Sequence, residues 1–142
     1  MSLKSLQVDP PVRIRIENFD SLNERAAIWA VNEAAFGGAD EADLVDRLRA
    51  DGHALVSLVA ELGSHIVGHC MFSRMWIDTS AALVAAVALA PVAVYPNHQC
   101  QGIGRRLIQR GLELLRDHGE KVVIVVGHPA YYPRFRIFNF KY

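Results

Sequence analysis

The chain has 142 residues, 51% of them apolar, and its 15 Lys and Arg residues balance 15 Asp and Glu residues. This length and composition predict a single folded domain and argue against an intrinsically disordered chain. The zero net charge gives no support to a nucleic-acid partner or an acidic membrane surface. We expect residues 1–11 to form a loose arm and residues 12–142 to form the one domain.

Alternation of apolar and charged residues over 12–17 predicts a first strand with one face in water. Asp20 or Ser21 is then expected to cap a helix that Gly37 ends. A second helix is expected between a cap at Asp40 and a stop near 51–52. The residues predicted to face inward are Leu22, Ala26, Trp29 and Phe36 on the first helix, and Leu44, Val45 and Leu48 on the second.

The middle of the chain is predicted to form a hairpin followed by a long strand. Branched residues over 55–61 and 65–77, separated by a turn at Gly63, predict the hairpin. The apolar run over 81–95 is too short to span a bilayer. Because Pro91 lacks a backbone N–H, it predicts a bulge or a local break within that strand.

A polar loop and a helix follow this strand, over 97–118. Gly102 and Gly104 open the helix, and small residues there let a ligand approach the backbone. The free N–H groups and partial positive charge of a first turn suit phosphate, and Arg105 and Arg106 add formal charge. The residues therefore predict an anion cradle. Its spacing fits neither a P-loop nor a dinucleotide-binding motif. The apolar positions of this helix are Ile103, Leu107, Ile108, Leu112, Leu114 and Leu115.

The spacing Gln99-x-x-Gly102-x-Gly104 resembles the Q/R-x-x-G-x-G/A signature of the GNAT superfamily of acyl-CoA-dependent N-acetyltransferases. The resemblance implies an α/β GNAT fold, a mixed and mostly antiparallel sheet of about six strands with about four helices. It implies acetyl-CoA as cosubstrate and places the pantetheine arm where the long strand splays from its neighbour. The cofactor-binding residues that it implies are Val92, Ala93, Val94, Gln99, Cys100, Gln101, Gly102, Ile103, Gly104 and Arg105.

A second match, over 127–135, resembles the short fourth helix of that family. By this resemblance Tyr132 is the general acid that protonates the departing thiolate, and Tyr131 is an aromatic packing residue. The alternative is that both rings only pack the helix. The general base stays open, because the strand over 81–93 carries no ionisable side chain. The candidates are His69, Glu33, His128 and an ordered water.

The two cysteines, Cys70 and Cys100, do not make a disulfide framework and predict reduced thiols in a cytoplasm. No residues have metal-ligand spacing, so no metal is expected. Strands after Val122 are predicted at 122–126 and in the remnant beyond Arg134. By resemblance one further C-terminal strand is missing, so a homodimer could cover the open sheet edge.

The resemblance thus predicts acetyl transfer to a primary amine of a small molecule or peptide, by direct transfer from acetyl-CoA. The acceptor side is expected to be walled by the helices over 20–50. Two alternatives stay open. One is a non-catalytic acyl-CoA-binding or regulatory domain, and the other is a domain that is defective or completed by a partner chain.

Overall fold

The computed structural model describes residues 11–125 with their side chains, and Val126 and residues 135–139 by their backbone. The elements in chain order are β1 (Val12–Ile16), α1 (Leu22–Phe36), α2 (Asp40–Ala50), β2 (Ala54–Leu62), β3 (His65–Asp78), β4 (Leu83–Val94), a 3-10 helix (Pro96–His98), α3 (Ile103–Asp117), β5 (Val122–Val126) and β6 (Phe135–Asn139). The predicted arm before residue 11 and the predicted fourth helix lie outside the described residues. Within the described ranges no helix is both long and apolar enough to cross a membrane.

The six strands form one sheet in the order β1-β2-β3-β4-β5-β6. Neighbouring strands are antiparallel except β4 and β5, which run parallel. The predicted mixed, mostly antiparallel sheet is therefore confirmed. The C-terminal remnant pairs with β5 as predicted, with Val122 opposite Asn139 and Val126 opposite Phe135.

The helices cover the two faces of the sheet. One buried cluster joins α3 to Leu58, Phe72 and the central strands, and the other joins α1 and α2 to Val59 and Met71. Consecutive strand residues point to opposite faces. On β2, Leu58 therefore belongs to the first cluster and Val59 to the second. On β3, Phe72 belongs to the first cluster and Met71 to the second.

The predicted inward face of α1 is wrong. Leu22 is 75% exposed and Phe36 44% exposed, whereas Ile28, Val31 and Asn32 are buried. Apolar residues lie on several sides of this helix, so its sequence pattern does not define one face. Its ends were predictable: the Ser21 side chain accepts a hydrogen bond from the Glu24 backbone, and Gly37 ends the helix at a φ of 71°.

The second helix also differs from its prediction. Asp40 is the first residue of α2, with Ala39 at the cap position and no side-chain cap. Val45 is buried and Leu48 packs against its cluster, as predicted, whereas Leu44 is half-exposed and Ala42 is buried in addition. Asp40, Glu41 and Asp43 instead place negative charge in the first turn, where the helix dipole favours it.

The third helix follows its predicted face and packs closely on the sheet. Ile103, Leu107 and Leu115 are buried, together with Gly111. A Cβ atom on Gly111 would lie 2.0 Å from Cε2 of Phe72, which no real contact allows. Gly111 therefore lets α3 approach β3, and this packing holds the start of α3 beside the end of β4.

The predicted irregularity at Pro91 is a β-bulge. Cys70 of β3 is opposite Val92 of β4, whereas Phe72 is opposite Leu89, so β4 holds one extra residue between these pairs. Ala90 and Pro91 occupy that interval. A bulge bends a strand and increases its local twist, and this one lies directly before the last residues of β4.

Candidate functional site

One edge of β4 is open where the bulge ends. β5 pairs with β4 only from Val87 to Leu89, although β4 continues to Val94. Among the described residues, no strand pairs with that edge after Leu89. The predicted separation of the two parallel strands is therefore present as a gap in the hydrogen-bond ladder.

The backbone groups facing the gap follow from the pairing with β3. The Tyr95 N–H donates to the Val67 carbonyl at 2.9 Å, so Tyr95 faces β3. Backbone groups of successive residues in an antiparallel strand point to alternate sides. Ala93 therefore also faces β3, and Val92 and Val94 direct their N–H and C=O groups to the open edge.

The loop after β4 turns sharply into α3. The 3-10 helix Pro96–His98 leads to Gln99, and the Gln99 Nε2 atom donates to the Val94 carbonyl at 3.0 Å. Cys100 has a φ of 62° and Gly102 a φ of 83°. Left-handed conformations so close together fold the backbone N–H groups into a concave turn, a geometry suited to anions.

The start of α3 carries free donors. Gly102 occupies the N-cap position and no side chain caps the helix. The first backbone N–H groups of a helix have no partner within it, so they are available to an anion. A Cβ atom on Gly104 would lie 3.8 Å from Val92 Cγ1 and 3.9 Å from Val94 Cγ2. Gly104 thus lies against the side chains of Val92 and Val94, the two β4 residues whose backbone groups face the open edge.

Not every predicted cofactor residue reaches this place. Ala93 is buried and its backbone faces β3, so it offers no group to the gap. The Ile103 side chain is buried in the core and leaves only its backbone to the site. The Arg106 Nη2 atom donates to the Val12 carbonyl at 2.8 Å, so its charge is directed to β1. Four further predicted residues are at the surface of the loop and helix start: Cys100, Gln101, Gly102 and Arg105.

His69 does not fit the role of general base. Its ring is fully buried, with Nδ1 3.1 Å from Asn32 Nδ2 and Nε2 2.9 Å from Ser57 Oγ. Burial, and then the charge of Arg49, lower the pKa of His69 to about 3. Asn32 Nδ2 also donates to the Ile28 carbonyl, so Nδ1 of His69 accepts and Nε2–H donates to Ser57. The expectation that His69 accepts a substrate proton is therefore wrong.

An open pocket of about 950 Å³ lies on the α1 side of the β4–α3 loop. Arg15 crosses its wall, donating to Glu24 at 2.9 Å and to Glu61 at 2.8 Å. Burial raises the pKa of Glu24, but the hydrogen bonds from Arg15 and the Asn18 backbone, together with the charge of Arg15, outweigh this and the net shift is downward. The Arg15 hydrogen bond likewise lowers the pKa of Glu61. Both carboxylates are thus anions and weak bases. No sequence motif indicates this cluster, because its members come from three separate elements.

The other predicted residues lie partly within and partly outside the described part of the chain. Glu33 is exposed on α1. Tyr131, Tyr132 and His128 lie outside the described residues. Among the residues with described side chains, no group of three or more His, Cys, Asp or Glu residues could hold a metal ion. Cys70 and Cys100 are both free thiols, Cys70 buried and Cys100 exposed.

Comparison with known proteins matches residues 21–133 to the acetyltransferase (GNAT) family. The chain is 40% identical to the uncharacterized N-acetyltransferase YjhQ of Escherichia coli K12 over 79% of its own length and 63% of that protein. It is 35% identical to the uncharacterized N-acetyltransferase YhbS of the same strain, over 76% of its length and 64% of that protein. The chain therefore spans less than two thirds of either relative.

Two crystal structures share the fold. One is a GNAT family acetyltransferase from Brucella melitensis in complex with acetyl-CoA, with a TM-score of 0.80 and 34% identity over 92% of this chain and 89% of that one. The other is YhbS from E. coli in complex with CoA, with a TM-score of 0.74 and 32% identity over 90% and 70% of the two chains. By its sequence and its fold, the chain belongs to the GNAT family of acetyltransferases.

Proposed function

We propose that this protein transfers an acetyl group from acetyl-CoA to a primary amine. The observation that carries the proposal is the open edge of β4, which leads directly into the uncapped start of α3. An extended ligand with amide groups at one end and a pyrophosphate at the other fits this combination. The two similar proteins crystallised with acetyl-CoA and CoA support the choice of ligand.

Each part of the site has a separate task in this proposal. The backbone N–H groups at the start of α3 bind the pyrophosphate, with the charge of Arg105 beside them. The N–H and C=O groups of Val92 and Val94 pair with the pantetheine amides. Gly102 and Gly104 leave the helix start without side chains, so the phosphate oxygens can approach the backbone. Bound acetyl-CoA supplies the thioester that the amine attacks.

We assign the general acid to Tyr132, on the motif over 127–135. The amine nitrogen bonds to the acetyl carbon, the carbon–sulfur bond breaks, and the Tyr132 hydroxyl gives its proton to the departing sulfur. The amine loses a proton before or during attack. Because burial excludes His69, the candidates for the general base that accepts this proton are Glu33, His128 and an ordered water.

We place the acceptor on the α1 side of the sheet, in the pocket walled by Glu24 and Glu61. Glu24 and Glu61 are balanced by Arg15 and by Arg13, which donates to Glu61 at 3.0 Å, so this wall offers an amine hydrogen-bond acceptors and not a net negative charge. The other polar lining groups are short hydroxyl, amide and imidazole side chains, which favour a hydrophilic amine. The lining residues of this kind are Ser21, Asn23, Ser64, His65, Asn97 and His98.

The test is a CoA-release assay over a panel of amines: polyamines, amino acids, aminoglycosides and peptide N-termini. We expect turnover with at least one of them. Tyr132→Phe should lower kcat by ~10²–10⁴ with nearly unchanged affinity for acetyl-CoA, because only the proton donor is lost. Tyr131→Phe is the matched control and should keep its kcat within about threefold.

Two results would lead to a different function. Tight binding of acetyl-CoA without turnover of any amine would favour a non-catalytic acyl-CoA-binding domain. Equal kcat values for Tyr132→Phe and the parent, with chemistry shown to be rate-limiting, would return Tyr132 to a packing role.

We further propose a cytoplasmic location and a homodimer. The first rests on the two free thiols, which suit a reducing compartment. The second rests on β6, the last strand of the described sheet, whose outer side pairs with no strand among the described residues. Sedimentation at micromolar concentration tests the dimer, and an active monomer would contradict it.

A further inference from the structure

We propose that Arg15 determines which amines the pocket on the α1 side accepts, because it neutralises the carboxylates of the pocket wall and gives a second ammonium group no advantage. The inference rests on the proposed function, which places the acceptor in this pocket. It narrows the acceptor to a monoamine whose other polar groups are uncharged, such as hydroxyls or amides.

Arg15 lies between two carboxylates that come from different elements. Its Nη1 atom donates to Glu24 Oε1 of α1 at 2.9 Å, and its Nη2 and Nε atoms donate to Glu61 Oε2 of β2 at 2.8 and 3.3 Å. The side chain is only 26% exposed, so solvent screens these contacts only in part. The hydrogen bonds to Glu24 and then to Glu61 raise the pKa of Arg15, so its charge is permanent.

This pairing leaves one carboxylate oxygen for a ligand. Glu24 Oε1 accepts a second hydrogen bond, from the Asn18 backbone at 2.8 Å, and Glu61 Oε1 accepts one from Arg13 at 3.0 Å. Glu24 Oε2 accepts no hydrogen bond from any described residue, and it is not buried. Because Glu24 lines the pocket, this oxygen can accept a hydrogen bond from one ammonium group.

The rest of the described lining favours uncharged groups on the ligand. Its other polar side chains are short hydroxyl, amide and imidazole groups, which can exchange hydrogen bonds with hydroxyls or amides. In this lining Glu24 and Glu61 are the only carboxylates. A second ammonium group would therefore leave water without a free carboxylate to receive it, which is costly.

Loss of the Arg15 charge should reverse this preference. Arg15→Gln keeps a hydrogen-bond donor but removes the cation that Glu24 and Glu61 share. A second ammonium group a few ångströms from an unpaired, partly buried carboxylate should then gain about tenfold in affinity. Arg15→Lys keeps the charge and should keep the parental preference.

Arg13→Gln is the matched control for the loss of a charge. Arg13 also lies on β1 and donates to Glu61, but its side chain is 69% exposed and it makes no contact with Glu24. An exposed ion pair contributes little, so the relative affinities of this variant should stay within about threefold of the parent.

The experiment titrates cadaverine, and its amino-alcohol analogue in which a hydroxyl replaces one amine, into each protein at about pH 8, where both primary amines are protonated. NMR shifts of the backbone amides of pocket residues Ser21, Ser64, His65 and Asn97 measure binding. We expect the parent, Arg15→Lys and Arg13→Gln to bind the amino alcohol at least as tightly as the diamine. Arg15→Gln should prefer the diamine by about tenfold, and high salt should reduce that preference.

Three results would overturn the proposal: the same preference in the parent and in folded Arg15→Gln, a tenfold preference of the parent for the diamine, or no shifts at the pocket residues. Should Arg15→Gln not fold, Glu24→Gln gives a second test. It removes the charged oxygen and should weaken both amines by a similar factor, and unchanged affinities would contradict the assignment. A CoA-release assay with the same two amines and the wider panel tests the proposed function separately. Binding with the expected preference but no turnover of any amine would refute acetyl transfer and leave the role of Arg15 in selecting amines intact.

Discussion

His69 shows how burial fixes the chemistry of a single residue. Its ring bridges Asn32 on α1 and Ser57 on β2, and all three side chains are buried. A cation there would lose its hydration and face the charge of Arg49, so the neutral ring is the stable form. The network joins α1 to the middle of the sheet, and we assign it a structural role.

This burial predicts a pH dependence of stability. The folded pKa of about 3 is below the ordinary value of 6.5, so on acidification the unfolded chain binds a proton that the native protein does not. The free energy of unfolding should therefore fall as the pH drops from 6.5 towards 3. His69 alone should account for about 1–2 kcal/mol between pH 6.5 and 5.

Denaturant titration of the parent and of His69→Gln measures this contribution. The variant will differ in overall stability, so the informative quantity is the slope against pH. We expect a flatter profile for the variant above pH 5, where the carboxylates remain ionised. Parallel profiles would mean that His69 takes up protons equally in both states.

The two thiols are predicted to react very differently. Burial raises the pKa of Cys70, which keeps it protonated as well as inaccessible, whereas Cys100 is exposed in the loop before α3. A thiol reagent should therefore label one cysteine quickly in the native protein and both in denaturant. Cys100→Asn should remove the fast reaction, since Asn tolerates the left-handed backbone there. Fast labelling of two thiols in the native parent, or of Cys70 in the native variant, would contradict the packing of Cys70.

Among the helices, α3 has the clearest amphipathic pattern, and its buried face was also predicted best. The apolar residues of α3 form one stripe, and its buried face matches the prediction. The apolar residues of α1 lie on several sides of the helix, so they do not define its buried face. The hydrogen bonds of Asn32 help to set that face, and the sequence pattern does not show them. Glu17 is a second example: alternation predicts a wet residue, yet it is buried in an ion pair with Arg49 at 2.6 Å.

The glycines of α3 give a test of its packing. Gly111→Ala forces a methyl group into the Phe72 ring and should lower the free energy of unfolding by about 1–3 kcal/mol. Gly104→Ala is the matched control, since its methyl group meets only ordinary contacts at 3.8 Å. It should be neutral or gain up to ~1 kcal/mol from helix propensity. Chemical denaturation compares them, and Phe72→Leu should rescue Gly111→Ala. Equal stabilities of the two alanine variants would contradict the close approach of α3 to β3.

For the whole molecule, the sheet and the site follow from a few local features. The bulge at Pro91 and the glycine start of α3 were readable in the sequence, because each reflects a backbone requirement, whereas the left-handed backbone of Cys100 was not predicted. The hydrogen bond from Gln99 to Val94 was not readable, because it depends on the course of the loop after β4. The Arg15 cluster was not readable, because its members come from separate elements. The acceptor pocket also forms where separate elements meet, so no sequence motif identifies the amine that it binds.

The central claim is that acetyl-CoA binds along the open edge of β4 and the start of α3. Gly104→Val tests it better than a change at Gly102, whose φ of 83° would strain any side chain regardless of ligand. A valine at 104 would add methyl groups at the start of α3, next to the Val92 and Val94 side chains, where the proposed site needs free backbone N–H groups.

Calorimetric titration of acetyl-CoA into the parent, Gly104→Ala and Gly104→Val is the most direct measurement. We predict binding to the parent and a loss of about tenfold or more in Gly104→Val, since each hydrogen bond to a charged phosphate is worth roughly 1.5–3 kcal/mol. Gly104→Ala should lose less, and thermal melting should show all three proteins folded. Equal affinities in folded parent and Gly104→Val, or no binding to the parent, would contradict the claim.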